Sequence, residues 1–291
     1  MAKAELIRTR QLIEAAISIL SSESPMTIRQ LFYRLVSSQQ VENSRADYQR
    51  VSRIMTTARD DGRCPFEWIV DRSRPEYSPS VFDDAAGYAE AVKCSSRKNY
   101  WATQPNHCEI WVEKDAIIGS IQSVTDELGV TVRVGRGFLS TTKAHEIAER
   151  FNGISKPIMV FYLGDHDPSG RTIEADLATR IEMYGSIFTL SRLAIFAGDI
   201  RKFNLPPLRV KMSDSRAKEF LRKYNNACVE LDALPRIELR KRIRSAVEQL
   251  LDRELWNRAI EVESVELASI RDTVARWPRS KSGINQQPAG R

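Results

Sequence analysis

The spacing of apolar positions changes near residue 108, and the change divides the chain in two. In the first part, residues 5–21 place Leu6, Leu12, Ile13, Ala16, Ile17 and Leu20 on one side of a helix, which Ser24-Pro25 interrupts. Thr27 with Gln30 three positions later is a capping-box pattern, and it opens a second helix. There Ile28, Leu31, Phe32 and Leu35 recur at i, i+3, i+4 and i+7 and form a core stripe. A polar turn spans Gln39 to Asp47. A third helix starts near Tyr48, with Val51, Ile54, Met55 and Ala58 inward and Gly62 as its stop. Residues 64–72 alternate partly and predict a short strand pair. Three helices and then a small β-ribbon is the order of a winged helix, a DNA-binding arrangement, although a plain structural bundle gives the same pattern. Residues 72–106 hold Pro75, Pro79 and Pro105 among polar positions and predict a linker with one short helix near 82–93.

From Cys108 onward strands and helices alternate. Strands are expected at Cys108–Glu113, Val130–Val134 and Pro157–Leu163, with helices at Ala116–Leu128, Thr141–Phe151 and Ser169–Met183. Strands that are apolar throughout, separated by helices, argue for a parallel sheet covered on both faces. A further strand is expected at 187–195, an extended segment at 204–211, and two helices near 235–256 and 258–276. The predicted organisation is a domain of residues 1–72, a linker at 73–106, an α/β domain with a C-terminal helical extension at 107–277, and a disordered tail at 278–291.

Composition narrows the classes without choosing one. The chain has 291 residues, enough to bury a core without disulfides or structural zinc. Its four cysteines, Cys64, Cys94, Cys108 and Cys228, form no CxxC pair, and three histidines are too few to complete a zinc cluster. No run of apolar residues approaches a membrane span, and Met1 to Gln11 has no apolar signal core, so a cytoplasmic protein is the expectation. The formal net charge of +6 is compatible with a polyanionic partner. Basic and acidic residues interleave nearly everywhere, so most read as solvated faces.

The candidate chemistry lies at strand ends. Glu113 closes one strand, and Asp165 and Asp167 follow another. Ligand sites in open parallel sheets form outside the carboxyl ends of the strands, so these three carboxylates are expected on one edge. Hard oxygen donors with room for water suit Mg²⁺, with Mn²⁺ as a substitute, acting on a phosphodiester. Gly164 allows a tight turn before Asp165, and Pro168 suits a first helical turn. Taken singly, an Asp-x-Asp is often a helix cap and a strand-end Glu a surface residue.

Together these segments resemble a known family. Trp111-Val-Glu113-Lys114-Asp-Ala116 with Gly164-Asp165-His-Asp167-Pro168-Ser-Gly170 is similar to the Toprim domain of topoisomerases, primases and related nucleases. Within it the chain resembles the topoisomerase VI A subunit and its meiotic double-strand-break relatives, in the reduced form called topo mini-A. Asn204-Leu-Pro, Ser213-Asp-Ser-Arg and Glu230-Leu-Asp-Ala-Leu-Pro235 are similar to that lineage, and the likeness spans roughly residues 25 to 250. The resemblance implies an N-terminal winged-helix (CAP-like) domain followed by a Rossmann-like Toprim domain, magnesium on Glu113, Asp165 and Asp167, and double-stranded DNA as substrate. It also implies a homodimer, in which the tyrosine of one protomer meets the metal of the other, and a separate ATPase subunit if strand passage occurs.

The family's motif of an Arg, two residues and two aromatics is matched by Arg29-Gln-Leu-Phe32-Tyr33. It gives Tyr33 the role of nucleophile and Arg29 that of phosphate ligand. The residues agree: Tyr33 and Arg29 are four apart on one helical face, expected to point away from the stripe toward solvent or DNA. Lys114, Lys211 and Arg216 are candidate DNA contacts, the run at 240–244 reads as a solvated helix face, and His166 as a solvent-facing loop residue. The family's Gly-Tyr-Pro-Asp segment is here Gly137-Phe138-Leu139-Ser140, without Pro and Asp. Two other readings stand beside tyrosyl transfer: a hydrolytic Toprim nuclease, and a non-catalytic DNA-binding protein. Clustered carboxylates without a cation repel one another, which argues against the last.

Overall fold

The computed structural model describes residues 2–70, 81–82, 85–95, 97–135, 137–224 and 226–275. It divides into two compact units, one made of Met1–Arg74 and Pro105–Leu251, the other of Pro75–Gln104 and Asp252–Arg291. The tail expected at 278–291 lies outside the described residues.

The larger unit opens with α1 (Ala2–Glu23), α2 (Ile28–Ser37) and α3 (Arg45–Asp60). Thr27 caps α2 as its sequence requires: its hydroxyl accepts from the Gln30 backbone N–H, and the Gln30 side chain accepts from the Thr27 N–H at 3.0 Å. Gly62 ends the α3 region with a positive φ of 71°, a conformation glycine adopts without strain. Leu20, Leu31, Leu35, Val51 and Met55 are fully buried where the three helices meet. The ribbon expected over 64–72 is not there in the described part of that segment. Pro65, with no N–H to pair, leads into a 3-10 turn at Phe66–Trp68, and a single parallel bridge joins Ile69 to Met26.

The rest of the unit is mixed α/β. Its elements run β1 (His107–Val112), α5 after α4 (Ala85–Ser95) of the smaller unit, at Ile118–Glu127, β2 (Thr131–Val134), α6 (Thr141–Asn152), β3 (Ile158–Leu163), α7 (Pro168–Glu182), β4 (Thr189–Ala194), α8 (Ala197–Lys202), α9 (Ala217–Tyr224) and α10 (Arg236–Glu248). The four strands form one parallel sheet in the order β2-β1-β3-β4. β1 and β3, the central pair, are buried almost throughout, as a sheet covered on both faces demands. Glu109, in the middle of β1, is buried and held by Trp111 Nε1 (2.8 Å), Arg133 Nε (2.9 Å), Arg150 and His107.

The helix expected over 235–256 ends at Glu248, and a separate α11 (Arg253–Ala275) follows in the smaller unit. The break is capped: Asp252 Oδ1 accepts from the Glu254 and Leu255 N–H groups at 3.0 Å. In that unit α11 packs with the segment read as a linker. Trp256 meets Tyr100 with ring centroids 4.8 Å apart, and Lys98 Nζ lies 2.7 Å from Glu266. Among the described residues no helix is long and apolar enough to cross a membrane.

Candidate functional site

Parallel pairing of β1 and β3 fixes which residues share an edge. Val112 is opposite Leu163, so Glu113 and Gly164 leave the sheet side by side. The Asp165 N–H donates to Glu113 Oε2 at 2.9 Å. Two glycines make room for that carboxylate. A methyl group on Gly164 would stand 2.8 Å from Glu113 Oε2, and one on Gly170 would stand 3.0 Å from it and 2.5 Å from the Asp165 carbonyl oxygen. Arg192, on β4, holds the turn from below through the Gly164 carbonyl at 2.7 Å.

Each carboxylate has a different occupation. Asp165 is buried and fully engaged, with Lys114 Nζ 2.6 Å from one oxygen and the Leu231 N–H donating to the other at 2.9 Å. Asp167 is the N-cap of α7, its Oδ1 accepting from the Gly170 N–H at 2.7 Å. Glu113 Oε1 and Asp167 Oδ2 take no protein hydrogen bond among the described residues. Burial, and next the charge of Asp165, push the Glu113 carboxyl up to about 7. Burial also raises Asp167 above its ordinary value.

Two further acids, from the segment Glu230-Leu-Asp-Ala-Leu-Pro235 and not among the expected metal ligands, complete the cluster. Glu230 and Asp232 flank the start of a 3-10 turn, Leu231–Ala233, that packs on α2. Burial would raise Glu230, but Lys114 and Arg29 outweigh it and hold it below its ordinary value. Asp232, deeply buried, is pushed up to about 6 by burial. Lys114, a candidate DNA contact, lies in this acidic nest, 3.5 Å from Glu230 as well as against Asp165; burial would lower it, but the two acids outweigh burial and raise it.

The second face of α2 is covered, which corrects the expectation for Tyr33. Its side chain is buried, packed at 5.5 Å against Phe32, and does not face solvent. α2 packs against the Leu231–Ala233 turn, where its buried Gln30 donates to Ser120 Oγ at 2.7 Å and to Asp232 at 3.4 Å, and Tyr33 itself lies against Phe32, Arg29 and Glu230. Arg29 remains half-exposed, its Nη2 donating to Tyr33 Oη at 3.4 Å and to Glu230 at 2.5 Å. Burial, with the charge of Glu230, pushes the Tyr33 phenol up to about 12. A polar path therefore runs in one chain from Tyr33 through Arg29, Glu230 and Lys114 to Asp165 and Glu113.

Other expectations change too. His166 is buried between Phe220 and Tyr224, at 5.2 and 5.1 Å, and burial lowers its imidazole to about 4, so it is a neutral core group. Arg216 is paired with Asp214 at 2.8 Å, near Asp167, whereas Lys211 is exposed. The run at 240–244 is a set of clamps, not a solvated face. Arg240 donates to the Ser120 carbonyl at 2.6 Å, Arg242 to Asp199 at 2.6 Å, and Arg244 to Glu127 at 2.5 Å.

Among the described residues no three His, Cys, Asp or Glu side chains form a ready-made metal cage. The donor set suits Mg²⁺ in its commoner mode, one or two carboxylates completed by water and phosphate oxygens. Glu113 and Asp167 supply a spare oxygen each, in a nest where five carboxylates face two cations. Compared with known proteins, the chain matches no protein-family model and no curated sequence.

Proposed function

We propose that the chain is a DNA-cleaving transesterase of the topoisomerase VI A kind, its N-terminal bundle serving as a winged-helix-like DNA-binding domain and its parallel sheet as a Toprim-like domain. The observation that carries this reading is the continuous path from the Tyr33 hydroxyl to the Glu113 and Asp165 edge. The Tyr33 oxygen bonds to a backbone phosphorus as the P–O bond to the adjoining sugar breaks. The phenol proton passes to Glu230, whose carboxylate lies against the hydroxyl, and the departing sugar oxygen takes a proton from water. Arg29 offsets charge growing on the phosphoryl oxygens. Glu113 and Asp167 would hold Mg²⁺, which would supply Lewis-acid polarisation of the phosphodiester, with Asp165 steadying Lys114 beside them. A homodimer would cut both strands, and strand passage would draw on a separate ATPase subunit. The resemblance implies that Tyr33 meets a partner's carboxylates; within this chain it is linked to its own.

The burial of Tyr33 favours a second reading, hydrolysis by water at the same carboxylates with Tyr33 structural. One experiment separates them. Protein is incubated with end-labelled DNA and Mg²⁺ or Mn²⁺, denatured in detergent, and tested for DNA retained on protein. The proposal expects an adduct that is lost in both Tyr33→Phe and Asp165→Ala. Cleavage without an adduct, surviving Tyr33→Phe but not Asp165→Ala, establishes hydrolysis instead.

A further inference from the structure

Beside the polar path, on the far side of Arg29, lies a cavity of about 500 Å³, within the size range of small-molecule sites. Its walls come from the N-terminus of α2, one face of α3, the chain at Ile69-Val70 and the start of the turn before α5. Ile28, Ile69 and Val70 give it aliphatic surface. Tyr48, Ser52 and Thr56 are spaced by four along α3 and so share the face that lines it. The Tyr48 ring packs T-shaped against Phe32, with centroids 5.4 Å apart, and lines the cavity.

Two guanidinium groups line the same cavity. Arg29 reaches Tyr33 and Glu230 through Nη2 alone, so its Nε–H and Nη1 donors are committed to no protein group among the described residues. Arg59 has no acidic partner among the described residues. It rests on the Phe66 ring at 5.5 Å, and its buried Nε–H lacks an acceptor. An orphan donor of this kind calls for a ligand oxygen. Ser52 and Thr56 add hydroxyls that can donate to or accept from a polar edge. A ligand that is flat and apolar in its body, hydrogen-bonding at its edge and anionic at its ends is a nucleotide.

We propose that this cavity seats one unstacked nucleotide of the DNA strand, its base among Tyr48, Ile69 and Val70 and its flanking phosphates on Arg29 and Arg59. The proposal deepens the DNA-cleavage reading and takes its substrate from it. Arg29 then joins the seated nucleotide to the Tyr33 hydroxyl. Because extruding a base is easiest where stacking is already weak, nicked, mismatched or single-stranded DNA is favoured over regular duplex.

Saturation-transfer NMR of the full chain with dAMP and dTMP tests this, with 2-deoxyribose 5-phosphate as a probe lacking a base. Saturation is expected to reach the base protons. Arg59→Gln is expected to weaken the nucleotides about tenfold, the worth of one charge-assisted hydrogen bond. Ser52→Trp and Thr56→Phe, which fill the cavity from partly exposed positions, are expected to remove binding while keeping the wild-type circular dichroism. No transfer to base protons, or equal binding in both filling variants, overturns the proposal. The covalent-adduct assay is read beside it: an adduct without nucleotide binding sinks the cavity alone, and nucleotide binding without an adduct upholds the cavity and removes tyrosyl transfer.

Discussion

Glu109 shows what one buried acid does in this fold. Burial alone would raise its carboxyl, but His107, Arg150, Trp111 and Arg133 hold it down at about 2. A carboxyl depressed in the folded state contributes stability that is present above its unfolded value of 4.5 and is lost as pH falls through about 2. Acid titration of stability followed by urea unfolding should show that loss, and Glu109→Gln should flatten it. At neutral pH the same variant strands Arg133 and Arg150, with an expected cost of about 3–5 kcal/mol. Glu113 has the opposite sign. Its carboxyl is raised to about 7, so folding is favoured fully below 4.5 and progressively less as pH rises through about 7. Without added metal, Glu113→Gln is expected to be more stable than wild type above neutrality and equal to it in acid. DNA cleavage should nonetheless fall by about 100-fold or more, the usual effect of removing one group that stabilises transition-state charge.

At the scale of elements, the site depends on two helix starts. Thr27 opens α2 and thereby aims Arg29 and Tyr33, so Thr27→Ala is expected to cost about 1 kcal/mol in thermal or urea unfolding and to weaken the Arg29–Glu230 pair it positions. Gly170 lies in the first turn of α7, where an added methyl meets the Asp165 carbonyl oxygen, a backbone atom with little freedom to retreat. Gly170→Ala should therefore displace the Asp165 turn and abolish cleavage while leaving α1 to α3 folded, which amide hydrogen exchange resolves. These two helix starts were legible in the sequence, because capping residues act within four positions of one another. The strand ends at Glu113 and Asp165 were legible for a related reason: apolar runs, Ile110–Val112 and Ile158–Leu163, lead into them. The burial of Tyr33 was not. A helical wheel shows which face of α2 is greasy, but not that Leu231–Ala233, about two hundred positions later, covers the other face with a second polar contact surface. Glu230 and Asp232 were missed for the same reason, as their short motif gives no hint of its partners. The wing was misread because partial alternation over 64–70 suits a 3-10 turn with one bridge as well as a ribbon.

Across the whole molecule, the smaller unit is built from two stretches far apart in sequence, Pro75–Gln104 and Asp252–Arg291. Tyr100 and Trp101 are buried there against Trp256. A chain ended after Leu251 would uncover these aromatic rings. It is expected to be recovered largely as aggregates, whereas Trp256→Phe, which keeps an aromatic ring, remains folded; size-exclusion chromatography distinguishes the two. Net charge acts at this scale as well. With an excess of six positive charges, DNA affinity is expected to fall as salt rises, with a log–log slope of about −0.9 per neutralised phosphate on duplex DNA.

The bond between Arg29 and Glu230 spans 201 positions of the chain, and that separation has a consequence in time. A ribosome adding roughly 5–20 residues per second delivers the tyrosine helix ~10–40 s before the acid that anchors it. Throughout that interval the nascent chain carries Tyr33 without Glu230, and for part of it without the Glu113 and Asp165 edge. Nascent chains stalled before residue 230 should therefore form no covalent link to DNA, and their tyrosine should ionise more readily than in the finished protein, where Glu230 opposes it. On the proposed reading, the order of synthesis keeps the Tyr33 hydroxyl apart from its proton acceptor until residue 230 has been made.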